Sequence, residues 1–168
     1  MIQLCIIVVY ICFCNKLENM PNSYTQIHIQ FVFAVKHRDK VISKHWKEDL
    51  HKYITGIVQH YNHKIVAINA MPDHVHVLIG MRPTQTVSDL MQDIKSGSSK
   101  WINESKLVKG KFEWQEGYGA FSYSSSQIDD VVKYIENQEE HHRNFSFKDE
   151  YLALLKEHEI EFDEKFLL

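Results

Sequence analysis

After Cys14 the chain contains no cysteine; Cys5, Cys12 and Cys14 are the three it has. The body therefore offers neither a disulfide framework nor a cysteine zinc site, which fits a reducing cytoplasm. An excess of basic charge is also missing. Lys and Arg number 19 against 22 Asp and Glu, a net charge of −3 with histidine neutral. No global positive field marks a nucleic-acid partner. Eleven histidines soften that exclusion, because partial protonation near neutral pH removes part of the negative balance. The third absence is a long apolar run. Ile2–Cys14 is almost continuously apolar but falls short of the roughly 20 residues of a membrane span. It also lacks the basic start and small-residue cleavage site of a signal peptide. No membrane partner is expected. Met20 stands directly before the first strand pattern, so the natural chain is expected to start there, with residues 1–19 a non-native or disordered extension. No repeat, low-complexity stretch or long linker interrupts the remainder, and 168 residues suit one domain with a real core.

Tyr24–Val35 alternates apolar and polar residues and reads as a strand. A basic turn, Lys36 to Lys40, follows. Ser43 can cap a helix carrying Trp46, Leu50, Ile54, Ile57 and Val58 at helical spacing, ending near Tyr61. Lys64–Met71 and His74–Gly80 form a predicted hairpin about the Pro72–Asp73 turn. A second helix carries Val87, Leu90, Met91 and Ile94, capped by Thr86 or Ser88. Glu116–Ser124 reads as a fourth strand, and a helix runs from Ile128 through Gln138. A last helix spans Phe147–His158, ahead of an acidic, aromatic tail. The order β-α-β-β-α-β predicts an α+β fold of ferredoxin-like plan, an antiparallel sheet with two helices on one face.

His74 and His76 are two apart on a strand, so their imidazoles share a face while Val75 and Val77 point into the core. Two imidazoles on a rigid strand make a pair of metal ligands. Taken alone, the pair also fits a chance coincidence among eleven histidines. A structural zinc site is the poorer reading, because it needs four protein ligands and the body supplies no cysteine. Tyr134 and Gln138 are four apart on one helix face. Their spacing alone leaves Tyr134 a packing or surface tyrosine as readily as a catalyst, and Gln138 a surface residue.

Met71-Pro72-Asp73-His74-Val75-His76-Val77-Leu78, then Lys95-Ser96-Gly97-Ser98-Ser99-Lys100, then Tyr134-Ile135-Glu136-Asn137-Gln138 occur in that order. In these blocks residues 20–145 resemble the single-tyrosine HUH transposases of insertion sequences and their relatives associated with repetitive extragenic palindromes. Residues 146–168 are expected to pack on that domain as a helix and tail. The resemblance implies a divalent metal on His74 and His76, Tyr134 as nucleophile and Gln138 as third ligand. It also implies a homodimer in which the tyrosine helix docks against the partner subunit's histidines, and recognition of a DNA hairpin beside a single-stranded cleavage site.

The chemistry agrees with these residue types. A cation on neutral imidazoles and an amide oxygen keeps its charge and can neutralise a phosphodiester oxygen. Oxygen from Gln138, water and phosphate suits Mg²⁺ or Mn²⁺. A phenol with a pKa near 10 can both attack phosphorus and leave it, so a 5′-phosphotyrosine can be resealed by a 3′-hydroxyl. No dedicated general base is evident. Two local basic clusters are candidate phosphate contacts: Lys36, Arg38 and Lys40, and then Lys95, Ser98, Ser99 and Lys100. Trp114, Tyr118, Phe121 and Tyr123 can stack on bases or fill the core. Two alternatives are a domesticated enzyme that nicks repetitive palindromes and a non-catalytic hairpin-binding protein.

Overall fold

A computed structural model describes residues 24–163 and 167 of the chain. The expectation for residues 1–19, including a start at Met20, lies outside these. Four strands form one antiparallel sheet: β1 (Ile27–Ala34), β2 (Lys64–Met71), β3 (His74–Met81) and β4 (Gly119–Tyr123). Their order is β2-β3-β1-β4, as the ferredoxin-like plan requires. Every neighbouring pair is antiparallel, and a register shift between Ile65 and Ala67 marks an irregularity in β2.

Alternation along the strands separates two layers. Phe31 and Phe33 of β1, with Val75, Val77 and Ile79 of β3, join the main core beneath α1 (Lys47–His60) and α2 (Val87–Glu104). Those helices contribute Leu50, Ile54 and Val58, and Leu90, Met91, Ile94 and Ile102. Thr86 caps α2 by accepting a hydrogen bond from the Asp89 N–H at 3.1 Å. Ser43 plays no such part for α1: the helix starts later, after Trp46, without a side-chain cap.

The other sheet face carries the segment after β4. The expected single helix through Gln138 is broken. It forms α3 (Ile128–Glu136), a non-helical Asn137 and a four-residue α4 (Gln138–His141). Asn69 of β2 helps fix the break, because its amide donates to the carbonyls of Ile135 (2.8 Å) and Glu136 (3.3 Å), which end α3. Helix α5 (Phe147–Glu157) begins at Ser146, whose hydroxyl accepts from the Asp149 N–H. It buries Phe147, Tyr151, Leu154 and Leu155 against Val32, Ala34 and Phe121. Full burial of such a side chain contributes about 1.5–3 kcal/mol, so this seam can hold a carboxylate in the same helix against the sheet.

Candidate active site and metal centre

His74 and His76 lie on the α3–α5 side of β3 and are almost wholly buried, at 1% and 0% exposure. Each ring has its Nδ1 engaged. Asp73 Oδ1 is 2.7 Å from His74 Nδ1, and the Gln30 side-chain amide is 3.0 Å from His76 Nδ1. Asp73 is itself held by Arg38, whose Nη2 donates to Oδ2 at 2.6 Å and whose guanidinium sits 3.6 Å over the Phe147 ring. The Nε2 atoms of both histidines turn inward and meet no hydrogen-bond partner.

Facing them is Glu150 of α5, a carboxylate 3% exposed that the sequence reading did not single out. Its Oε1 accepts from the Tyr134 hydroxyl and, at 2.8 Å, from the Gln138 amide. Its Oε2 is 3.4 Å from His76 Nε2, 3.8 Å from His74 Nε2 and 3.1 Å from His142 Nε2. Tyr134 therefore stands against the histidines of its own chain, with its ring centroid 5.9 Å from that of His76. Gln138 is fully buried rather than a surface residue, and its Oε1 has no hydrogen bond.

Burial sets the electrostatics. It lowers the His74 pKa to about 4 against the opposing pull of Asp73, so the ring is neutral and available as a ligand. Burial would raise the Glu150 pKa, but the His142 and His76 rings close beside its Oε2 hold it well below the usual carboxylate range. The Tyr134 pKa is pushed far up, first by burial and then by the negative charge of Glu150, which keeps the phenol protonated. A divalent ion among these groups would oppose the Glu150 charge. The neutral His74 ring, the unpartnered Nε2 of His76 and the buried carboxylate fit such an ion.

The family profile "Transposase IS200 like" matches residues 23–138, more than half of the chain and every block quoted above. The chain belongs to the IS200-like transposase family. The ISDra2 transposase TnpA of Deinococcus radiodurans is 25% identical over 119 residues, covering 67% of this chain and 84% of that protein. Two solved structures share the fold. A candidate transposase from D. radiodurans R1 has a TM-score of 0.58 at 24% identity, covering 70% of this chain and 94% of its own. A REP-associated tyrosine transposase bound to a REP hairpin has a TM-score of 0.55 at 15% identity, covering 71% of each chain.

Within this transposase the two basic clusters have different surroundings. The first lies at the histidine end of the sheet, since Arg38 grips Asp73. Lys36 pairs with Glu113 at 2.8 Å, Lys40 is exposed, and Arg38 supports His74 through Asp73. The second sits on α2, across the sheet from His74 and His76. There Lys95 donates to the Gln115 and Gly117 carbonyls, and Lys100 is exposed beside Glu104. Ser99 is half-buried and donates to the Ser96 carbonyl. Ser98 departs from the expected phosphate contact. It is fully buried, its Oγ donates to the Ile94 carbonyl and accepts from Trp114 Nε1 at 2.9 Å, and it cannot meet DNA without unfolding the helix.

Of the aromatic candidates for base stacking, Trp114 and Phe121 are core residues. Tyr118 and Tyr123 are half-buried and pack on the core clusters. The acidic stretch Glu136–Glu140 is partly neutralised, because Glu139 bridges Lys44 and Lys47 and Glu140 pairs with Arg143. A cleft of about 600 Å³ opens beside Tyr134, but Asp130, Asp149, Glu150 and Glu157 line it, which disfavours a polyanion. Among the described residues no helix is long and apolar enough to cross a membrane.

Proposed function

We propose that this transposase cuts and rejoins single-stranded DNA beside hairpins through a 5′-phosphotyrosine on Tyr134. His74, His76 and Gln138 would hold Mg²⁺ or Mn²⁺. The observation that carries the reading is the convergence of the Tyr134 hydroxyl and the Gln138 amide on one face with two inward-turned, unpartnered imidazole nitrogens. When bound, the ion would neutralise a non-bridging phosphate oxygen. Tyr134 Oη forms the bond to phosphorus, the P–O3′ bond breaks, and the leaving oxygen takes up a proton as a 3′-hydroxyl. That hydroxyl can later reverse the step and release Tyr134. Glu150 Oε1, already the acceptor for the phenol hydrogen, orients Tyr134 Oη, and the phenol proton passes to solvent as the leaving oxygen takes one up.

The fold neighbour bound to a REP hairpin supports a hairpin substrate, and the exposed Lys40 beside the histidine end of the sheet is the favoured phosphate contact. A homodimer is the expected assembly. Exchange of tyrosine helices within it requires α3 to leave the contact with His76 that it makes within one chain. With DNA as substrate, the protein would act in the cytoplasm. A palindrome-processing nickase would use the same site and is distinguished by its DNA.

The test is a denaturing gel of the protein with labelled single-stranded hairpin DNA, with Mn²⁺ or Mg²⁺ and with EDTA. A covalent adduct that needs the ion and disappears in Tyr134→Phe supports the reading. An adduct that persists in Tyr134→Phe removes Tyr134 as nucleophile. Hairpin binding that is unaffected by EDTA, with no adduct, marks a binding protein.

A further inference from the structure

Gln138 is the last residue of the family match, yet the densest set of potential ligands includes two side chains beyond it. Single ligand atoms of His74, His76, His142 and Glu150 all lie within 4.8 Å of one another. All four are buried without a hydrogen bond: the three histidine Nε2 atoms and Glu150 Oε2. The side chains of His74, His76 and Glu150 are at least nine-tenths buried.

Each histidine is also braced from behind, at Nδ1. Asp73 holds His74, Gln30 holds His76, and the Phe145 carbonyl accepts from His142 at 3.0 Å. At His74 and His142 an engaged Nδ1–H presents the Nε2 lone pair forward, the usual arrangement of a metal-bound histidine, and His76 joins them when the Gln30 amide turns its unpartnered Oε1 to Nδ1. Spacing agrees as well. Ligands about 2.0–2.1 Å from a tetrahedral ion stand roughly 3.3 Å apart. Glu150 Oε2 lies 3.1, 3.4 and 3.8 Å from the Nε2 atoms of His142, His76 and His74. His141 is a fourth nearby imidazole, but it faces the other oxygen, Oε1, at 3.8 Å.

We propose that the chain holds one transition-metal ion of the Zn²⁺ class in a closed, near-tetrahedral site made by His74, His76, His142 and Glu150. The turn after α4 and helix α5 would thus supply two of the four ligands. Three imidazoles and one carboxylate suit Zn²⁺ or Co²⁺, whereas Mg²⁺ takes oxygen ligands in octahedral geometry. The inference rests on the metal-binding role of His74 and His76 proposed above, and goes beyond it in ligand set and in ion. In the closed site Glu150 occupies the position a phosphate oxygen would need, so catalysis requires Glu150 to give way while the histidines stay.

The test is titration of the EDTA-stripped full chain with Zn²⁺ by calorimetry, and with Co²⁺ by visible absorption, where tetrahedral Co²⁺ absorbs far more strongly than six-coordinate Co²⁺. The expected result is one ion per chain and a tetrahedral Co²⁺ spectrum. His142→Ala and Glu150→Gln should each weaken Zn²⁺ binding by about 100-fold or more, beyond the 10–100-fold typical of outer-shell changes, and lose the tetrahedral band. His142 sits at the edge of the site, so His142→Ala, with its fold verified by circular dichroism, covers the case in which Glu150→Gln does not fold. Unchanged affinity and spectrum in His142→Ala, with binding lost in His74→Ala, overturns the four-ligand site and leaves the proposed function standing. No Zn²⁺ or Co²⁺ bound by the unsubstituted chain also overturns the closed site, while the Mn²⁺- or Mg²⁺-dependent adduct decides the proposed function separately.

Discussion

Asp73 Oδ1 lies 2.7 Å from Nδ1 of the next residue, His74, and Arg38 grips the other carboxylate oxygen. The Pro72–Asp73 turn thus belongs to the proposed metal centre as well as to the bend of a hairpin. Asp73→Ala frees the His74 ring to rotate and removes the acceptor that keeps its proton on Nδ1. Metal affinity should fall by about 10–100-fold, measured by calorimetry. Arg38→Ala should weaken metal binding less. It should also cost roughly 1–2 kcal/mol of stability in urea, because it removes a part-buried ion pair and the cation over Phe147.

Gln30 is the corresponding support for His76, with one condition. If its Nε2 donates to His76 Nδ1, the ring proton must sit on Nε2, where a metal would bind. Turning the amide over presents Gln30 Oε1, which is otherwise buried without a hydrogen bond, to Nδ1–H. Metal binding should therefore select the flipped amide. Gln30→Leu should lower metal affinity about 10–100-fold with the helical circular dichroism unchanged. Wild-type affinity in that variant would remove Gln30 from the centre.

Ser98 separates a core role from a DNA role. Ser98→Ala leaves the buried Trp114 N–H without its acceptor, which costs about 1–3 kcal/mol in urea denaturation. Hairpin affinity per folded molecule should not change. Lys40→Ala should instead leave stability within about 0.5 kcal/mol and reduce the salt dependence of hairpin binding by about one phosphate contact.

Two glycines make a paired test of the packing. A Cβ at Gly119 would stand 2.7 Å from Phe121 and 2.9 Å from Tyr151, rings held between β4 and α5. Gly119→Ala should cost about 1–3 kcal/mol and lower the thermal midpoint. A Cβ at Gly97 would stand 2.9 Å from Cδ1 of Ile57, the free end of a flexible side chain. Gly97→Ala on α2 gains up to about 1 kcal/mol of helix propensity, so its net change should be near zero.

Local patterns carried much of this architecture. Alternation of apolar residues located β1, the Pro72–Asp73 turn set β2 against β3, and Thr86 was one of two candidate caps for α2, because strand faces, turns and caps are set by neighbours one to three residues away. The same alternation put His74 and His76 on one face. Gln138 was reachable only through the family motif, since its burial depends on a helix break that Asn69 supports from another strand. Glu150 and His142 were not legible. A Glu in an amphipathic helix resembles any solvated carboxylate until α5 docks and turns it toward β3. Ser98 was misread for the mirror reason: a hydroxyl in a lysine-flanked run looks exposed, and only the Trp114 indole shows which way it points.

The two-sidedness of β3 has one more consequence. Val75 pairs with Phe33 and Ala70, while His76 pairs with Val32 and Asn69. Core and chemistry alternate along a single strand, so substitutions can alter either one separately. Insertion or deletion of one residue in the strand cannot. It would turn the imidazoles into the apolar layer and the valines toward Glu150, so folding and catalysis would fail together. The strand thus tolerates variation in residue identity but not in length.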